Sequence, residues 1–148
     1  MAQTWHFEDF TVGRRVESAA PREVSDALIR AFAEISGDKN PVHLDDAFAA
    51  ATPFGKRVAH GLLGLSMASG LLYDLEVVRE TIVAFRSLEW AFREPIFPGD
   101  KVSLRLEVLR ARALGAATGL LVCKAELLKQ DGQVVQRGEW SVVVKRRG

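Results

Sequence analysis

The sequence has a single cysteine, Cys123, among its 148 residues. One cysteine excludes an intramolecular disulfide, and the histidines lack the Cys/His spacing of a zinc site. A lone thiol fits a reducing compartment, where disulfides are rare. The N-terminal segment carries acidic residues early and has no apolar core of the signal-peptide type. These features together predict a cytoplasmic protein.

The net charge is also small, and long apolar runs are few. The formal net charge of +1 argues against a broad nucleic-acid-binding surface, because such a surface depends on clustered Lys and Arg. The one basic cluster, at 145–147, is more simply solvated than bound to phosphate. The uncharged run 61–73 is shorter than the roughly 20 apolar residues that span a bilayer. We expect neither a nucleic-acid partner nor membrane insertion.

The length suits one domain covering 1–148, since no repeat or linker interrupts it. Helical spacing of apolar residues begins after Ser25, a suitable N-cap, and stops at Gly37. The uncharged stretch 61–73 predicts a buried helix. Before and between these helices the sequence predicts lesser elements: a short extended entry and a turn over 7–13, a strand within 14–20 and a short helix over 45–51.

Beyond the uncharged helix the apolar period changes to two, which is typical of strands. Four alternating segments follow, at 88–92, 102–108, 121–127 and 140–144. Asp131-Gly132 predicts a tight hairpin turn between the last two. A helix that is apolar on every side must be covered on every side, and one sheet covers only part of it. We therefore predict an α+β fold, with an antiparallel sheet wrapped around a central helix and a second copy of the chain as the remaining cover.

Candidate functional residues concentrate between 36 and 61. Asp38 and His43 place a carboxylate and an imidazole five positions apart, in a segment that we expect not to be regular helix. Pro41 disfavours the α conformation at Asn40, and Gly37 adds further turn chemistry. Polar side chains are thus held on irregular backbone between two apolar helices, where chemistry is commonly placed.

These motifs resemble those of the MaoC-like, (R)-specific enoyl-CoA hydratases and 3-hydroxyacyl-CoA dehydratases, which have the hot-dog fold. The resemblance covers nearly the whole chain and is weakest before about Ser25. The combination of Asp-x-Asn-Pro-x-His with a downstream Ala-His-Gly is specific, although either fragment alone is weak. The matching residues are Ser36-Gly37-Asp38-Lys39-Asn40-Pro41-Val42-His43-Leu44-Asp45, Ala47-Phe48-Ala49, Thr52, Phe54-Gly55, Val58-Ala59-His60-Gly61-Leu62-Leu63 and Phe97-Pro98-Gly99-Asp100.

The resemblance implies reversible hydration of trans-2-enoyl thioesters to (R)-3-hydroxyacyl thioesters. Asp38 and His43 would hold the water that adds across the double bond, and the backbone N–H of Gly61 would bind the thioester carbonyl. A helical serine of some family sites falls on Ser69. No metal or redox cofactor is implied, and CoA or acyl carrier protein would carry the substrate. The assembly would be a homodimer or a dimer of dimers.

Each residue also has a purely structural interpretation. Taken alone, Asp38 would more simply cap the turn, and His43 would be a hydrogen-bonded loop histidine; their combination around Asn-Pro favours the catalytic role. Asn40 is expected to brace the loop, and His60 to be structural rather than a second base. Ser69 is equally suited to a hydrogen bond within its helix and to a contact near the dyad.

Two other functions use the same scaffold. A hot-dog thioesterase would hydrolyse the same thioester, but it needs water at the carbonyl carbon rather than at C3, which the Asp/His loop argues against. A non-catalytic partner subunit of a hot-dog assembly is the other alternative, and the intact dyad argues against it. The hydratase interpretation is therefore the leading one.

Overall fold

The computed structural model describes residues 3–148, so the first two residues of the predicted domain lie outside it. The helices and strands, in chain order, are β1 (Arg15–Glu17), β2 (Arg22–Glu23), α1 (Asp26–Ser36), α2 (Pro41–Leu44), α3 (Asp46–Ala50), α4 (Gly61–Asp74), β3 (Ile82–Phe92), β4 (Lys101–Leu114), β5 (Thr118–Lys129) and β6 (Val134–Lys145). Short 3-10 turns occur at Phe7–Asp9 and Glu76–Val78.

All strand pairs of the sheet are antiparallel, in the order β1-β4-β5-β6-β3, with β2 also pairing with β4. Along most of β4, β5 and β6 buried residues alternate with more exposed ones, as the period of two predicts, whereas β3 shows no such alternation. On β4 these residues are buried at 8% exposure or less: Val102, Leu104, Leu106 and Val108. They pack with the apolar face of α4 in one core. The predicted hot-dog arrangement, a sheet wrapped around a central helix, is confirmed.

One face of α4 is not covered by its own sheet. Leu62 is 58% exposed and Tyr73 62% exposed, although Leu63 and Leu71 on the opposite face are buried. The neighbouring edge strand β3 is also exposed along most of its length, including Val83 at 52%. A single chain therefore buries α4 on one side only, as expected for a helix that needs further cover.

Three details differ from the sequence predictions. The segment 36–61 is not wholly irregular: Pro41 begins the one-turn helix α2, because a proline at the first helical position needs no N–H partner. Residues Phe7–Asp9 form a 3-10 turn rather than an extended segment. The strand expected within 14–20 is only the three residues of β1, and β2 was not predicted.

Within residues 3–148, even α4, the longest helix at 14 residues, falls short of the length and apolar character needed to cross a bilayer.

Candidate active site

A chain of local hydrogen bonds shapes the turn that follows α1. The helix ends at Gly37, whose φ of 77° lies in the left-handed region that favours glycine. The Asn40 N–H then donates to Asp38 Oδ1 (3.2 Å), and the Val42 N–H donates to Asn40 Oδ1 (3.0 Å). The Asn40 side chain thus caps α2 and braces the loop, while Asp38 supports the turn at its start.

The His43 imidazole is held in one tautomer. It lies on α2, is 9% exposed, and its Nδ1 is 2.7 Å from the Val58 carbonyl oxygen. A carbonyl can only accept, so Nδ1 carries the proton and the lone pair is on Nε2. Burial lowers the pKa of His43 below its ordinary 6.5, which favours the neutral ring. His43 is thereby prepared to accept a proton.

Asp38 lies close to this ring. One carboxylate oxygen of Asp38 and one ring nitrogen each of His43 and His60 lie within 4.8 Å of one another. Asp38 is exposed in the single chain, whereas both histidines are buried. Two hydrogen bonds of about 2.8 Å from one water can bridge a gap of this order. The carboxylate and the imidazole can therefore hold a water between them.

His60 joins the Asp38 turn to the His43 ring. Its Nε2 is 2.9 Å from the Asp38 carbonyl oxygen, which it reaches as a donor. Its ring stacks on His43 with centroids 3.8 Å apart and planes 28° from parallel. The Phe32 ring also packs against His60, with ring centroids 4.9 Å apart and planes inclined by 63°. His60 is thus fixed from several directions at the centre of the site.

A cleft of about 380 Å³ opens beside His43 and reaches the first residue of α4, Gly61. The side chain of His60, the N-cap residue, makes no capping hydrogen bond, so it does not satisfy the N–H groups of Gly61 and Leu62 at the start of α4. A Cβ at Gly61 would lie 2.7 Å from Cδ1 of Phe92, which also lines the cleft. Glycine therefore leaves room for the Phe92 ring at the lining of the cleft, where α4 begins with the partial positive charge of its N-terminus.

The structure identifies further positioning residues that the sequence analysis did not select. Gln136, 1% exposed on β6, donates from Nε2 to the Gly61 carbonyl oxygen (3.0 Å) and accepts from Trp90 Nε1 (2.9 Å). In the sequence, Gln136 could have been noticed as a glutamine at an inward position of a strand that is otherwise apolar on that face. Val58 holds His43 through its backbone carbonyl, and no sequence pattern identifies a carbonyl with this role.

Arg57 is the other positioning residue that was missed. Its guanidinium binds Asp26 of α1 (2.5 Å) and Asp46 of α3 (2.7 Å), and donates to the His43 carbonyl oxygen at 3.3 Å. It therefore joins α1, α2 and α3 behind the dyad. In the sequence this arginine is one of many charged residues, and its partners lie up to 31 positions away.

Ser69 is not brought to this cleft in the single chain. It lies two helical turns beyond Gly61, where its hydroxyl donates to the Ser66 carbonyl oxygen at 2.6 Å. It lines a separate depression of about 170 Å³ with Tyr73 and Phe85. Of the residues selected from the sequence, Asp38, Asn40, His43, His60 and Gly61 meet at one place.

The Asp/His/His cluster has poor geometry for a metal ion. The two histidine rings stack almost face to face, so the in-plane lone pairs of their nitrogens do not converge on one point. His43 Nδ1 and His60 Nε2 each already face a backbone carbonyl. The donor set instead suits a small neutral hydrogen-bonding molecule such as water.

Comparison with known proteins agrees with this arrangement. Residues 8–122 match the family described as MaoC like domain. The chain is 39% identical over 103 residues (70% of the chain) to a 3-hydroxybutyryl-CoA dehydratase of Methylorubrum extorquens, and this alignment spans 63% of that protein's length. It is 37% identical over 113 residues to an (R)-specific enoyl-CoA hydratase of Aeromonas caviae, covering 76% of the chain and 81% of the relative.

A solved structure extends the similarity to three dimensions. The MaoC-like dehydratase of Rhodospirillum rubrum superposes with a TM-score of 0.86 at 32% identity, covering 97% of this chain and 99% of the other. The matched segment 8–122 contains the Asp38–His43 loop, all of α4 and the long strands β3 and β4. On these grounds, the chain belongs to the MaoC-like domain family.

Proposed function

We propose that this protein catalyses the reversible hydration of trans-2-enoyl thioesters to (R)-3-hydroxyacyl thioesters. The observation that carries the proposal is the closeness of the Asp38 carboxylate to the ring of His43, which lines a cleft together with Gly61 at the N-terminus of α4. The names of the relatives, a dehydratase and an (R)-specific hydratase, support the same chemistry.

Binding begins with the thioester carbonyl. Its oxygen accepts from the N–H of Gly61, where the helix end offers a donor and a partial positive charge. As water adds, negative charge develops on this oxygen, and the fixed donor stabilises the enolate more than the ground state. Removing one such donor costs about 10²–10³-fold in rate in acyl transfer.

Water reacts from the position between Asp38 and His43. Its oxygen forms the bond to C3 while one of its protons moves to the dyad, and the electron pair of the double bond passes to the thioester as an enolate. A proton is then delivered to C2, which restores the carbonyl. Because the dyad would both take the proton from water and return one to C2 from the same side of the substrate, we expect syn addition. General acid–base catalysis of this kind contributes about 10²–10⁴-fold.

The proposal requires no metal or redox cofactor, because hydration transfers only water and protons. The acyl group arrives as a thioester of CoA or acyl carrier protein. We expect turnover to be unchanged by EDTA.

A second copy of the chain completes the assembly in this proposal. The exposed face of α4 and the edge strand β3 together present Leu62, Tyr73 and Val83 to solvent. An exposed apolar edge strand is a surface for pairing with another strand. We expect a dimer by sedimentation velocity, and we expect Val83→Lys, which places a charge on the edge, to shift the protein toward monomer. A monomeric wild-type protein at micromolar concentration would contradict this assembly.

Incubation with crotonyl-CoA tests the reaction. Hydration predicts a loss of the enone absorbance without release of free thiol, and chiral analysis should show the (R)-3-hydroxy product. Release of thiol would instead identify a thioesterase. No change with crotonyl-CoA or longer enoyl-CoA thioesters would contradict catalysis by this chain.

A further inference from the structure

His60 has no access to the cleft. It is 2% exposed, and the residues that line the cleft beside Gly61 do not include it. It therefore does not touch a bound thioester, and any part it has in catalysis must act through other residues.

Three parts of the site nevertheless meet at His60. Its Nε2–H donates to the Asp38 carbonyl oxygen, and its ring stacks on His43. Its own carbonyl oxygen accepts from the N–H groups of Leu63 (3.0 Å) and Gly64 (3.3 Å), so it also begins the hydrogen bonding of α4. One residue thus contacts the carboxylate's turn, the imidazole and the helix that binds the thioester oxygen.

Burying His60 also costs free energy, so the packing of its ring does not by itself explain why a histidine is found here. Because Nε2 carries the proton, Nδ1 is an acceptor, and within residues 3–148 no donor reaches it. An unpaired buried polar atom is unfavourable, and a phenylalanine or leucine would fill the space without one. A histidine at this position indicates that its donor and its ring serve the site.

We propose that His60 is a positioning residue that holds both members of the dyad in register, the Asp38 turn through its Nε2–H and the His43 ring through stacking. The inference rests on the proposed function above. It adds a role for a residue that the hydration mechanism itself does not use.

The electrostatic surroundings of His43 give this role a measurable signature. Burial is the largest influence on the pKa of His43 and lowers it; the Val58 hydrogen bond raises it, His60 lowers it and Asp38 raises it. Replacing His60 with an uncharged side chain, which removes this electrostatic influence, should therefore raise the pKa of His43.

Other charged groups near His43 stay in place in such variants. Arg93 and Glu94 line the same cleft with opposite charges, and Arg57 contacts the His43 backbone oxygen from behind. A change in the titration of His43 on substitution of His60 can then be assigned to the loss of the His60 imidazole.

Two substitutions separate the two contacts. His60→Phe keeps an aromatic ring against His43 and removes the donor to Asp38, whereas His60→Gln keeps a donor and removes the ring. We expect His60→Phe to lose about 10–100-fold in kcat, the scale of a small misplacement of a catalytic group, with KM little changed. We expect His60→Gln to lose less. In both, the acid limb of the pH–rate profile should move to higher pH.

NMR titration of the histidine rings tests the coupling without any turnover. The His43 resonances of both variants should titrate at higher pH than in wild type. In wild type the nitrogen shifts should show the Nδ1–H tautomer for His43 and the Nε2–H tautomer for His60, so the test remains valid even if a variant fails to fold. The opposite tautomers would overturn the proposal.

Val102→Ala is the matched control, because Val102 is fully buried on β4 and is not among the residues lining the cleft. It should lower stability and leave the acid limb unmoved. Folded His60 variants with wild-type kcat, or with reduced kcat but unmoved His43 titration, would overturn the positioning role. If wild type hydrates no enoyl thioester, the proposed function fails, and the NMR titration still decides the role of His60.

Discussion

Gly61→Ala isolates the carbonyl-binding end of α4 from the dyad. The added Cβ would lie 2.7 Å from Cδ1 and 2.9 Å from Cε1 of Phe92, inside normal contact distance. The Phe92 ring is 53% exposed and can rotate outward, so the methyl group can be accommodated. In the proposed binding mode, the methyl group would then lie close to the path by which the thioester oxygen approaches the N–H of residue 61.

The expected effect is large on rate and small on stability. A carbonyl held about 1 Å from its productive position costs about 10²-fold, equivalent to about 2.7 kcal/mol of activation free energy. For stability, the overpacking penalty of about 1–3 kcal/mol is relieved by movement of the exposed ring and by the higher helix propensity of alanine. We expect the free energy of unfolding to change by no more than about 1 kcal/mol.

The measurement is kcat/KM for enoyl-CoA hydration, paired with urea denaturation. Gly70→Ala is the matched control in the same helix: its Cβ meets only the flexible end of Arg22, at 2.9 Å. This control should be more stable by about 0.5–1 kcal/mol and fully active. Wild-type kcat/KM in folded Gly61→Ala would refute the assignment of the thioester oxygen to this helix end.

Three further predictions concern groups around the core and the site. The kcat/KM should fall on the acid side with an apparent pKa below 6.5, because His43 acts as a neutral base and burial lowers its pKa; activity is present above that pKa and lost below it, and a limb above 6.5 would contradict this. Arg57→Met should lower the free energy of unfolding in urea by about 0.5–2 kcal/mol, since Arg57 links Asp26 and Asp46 but both carboxylates are exposed enough for water to replace it in part; an unchanged midpoint would count against that link. Burial raises the pKa of Cys123 to about 11, so iodoacetamide should label it only after unfolding; rapid labelling of the native protein would show that the core is open.

Much of the fold follows from local patterns in the sequence. The alternation from Val102 to Val108 predicts both the strand and the face that packs on α4, and Ser25 and Gly37 mark the ends of α1. These features depend on neighbours two to four positions apart, which a sequence displays directly. The uncharged run 61–73 predicts a helix that the sheet must wrap around, and the family resemblance identified this arrangement as the hot-dog fold.

The parts that were missed depend on distant partners. The Val58 carbonyl that sets the His43 tautomer is 15 residues away, and Gln136 reaches Gly61 across 75 residues. The single turn of α2 was taken as irregular because four residues are too few to show a helical period. His60 was expected to be structural, and its contact with both Asp38 and His43 is visible only in three dimensions.

The central claim is that Asp38 and His43 act together on one water, and a double-mutant cycle on hydration tests it most directly. Asp38→Asn and His43→Gln should each lower kcat by about 10²-fold or more while the protein remains folded. Because both groups hold the same water, the double variant should lose little more than either single variant. Near wild-type activity in either single variant, or losses that simply multiply in the double variant, would contradict the account.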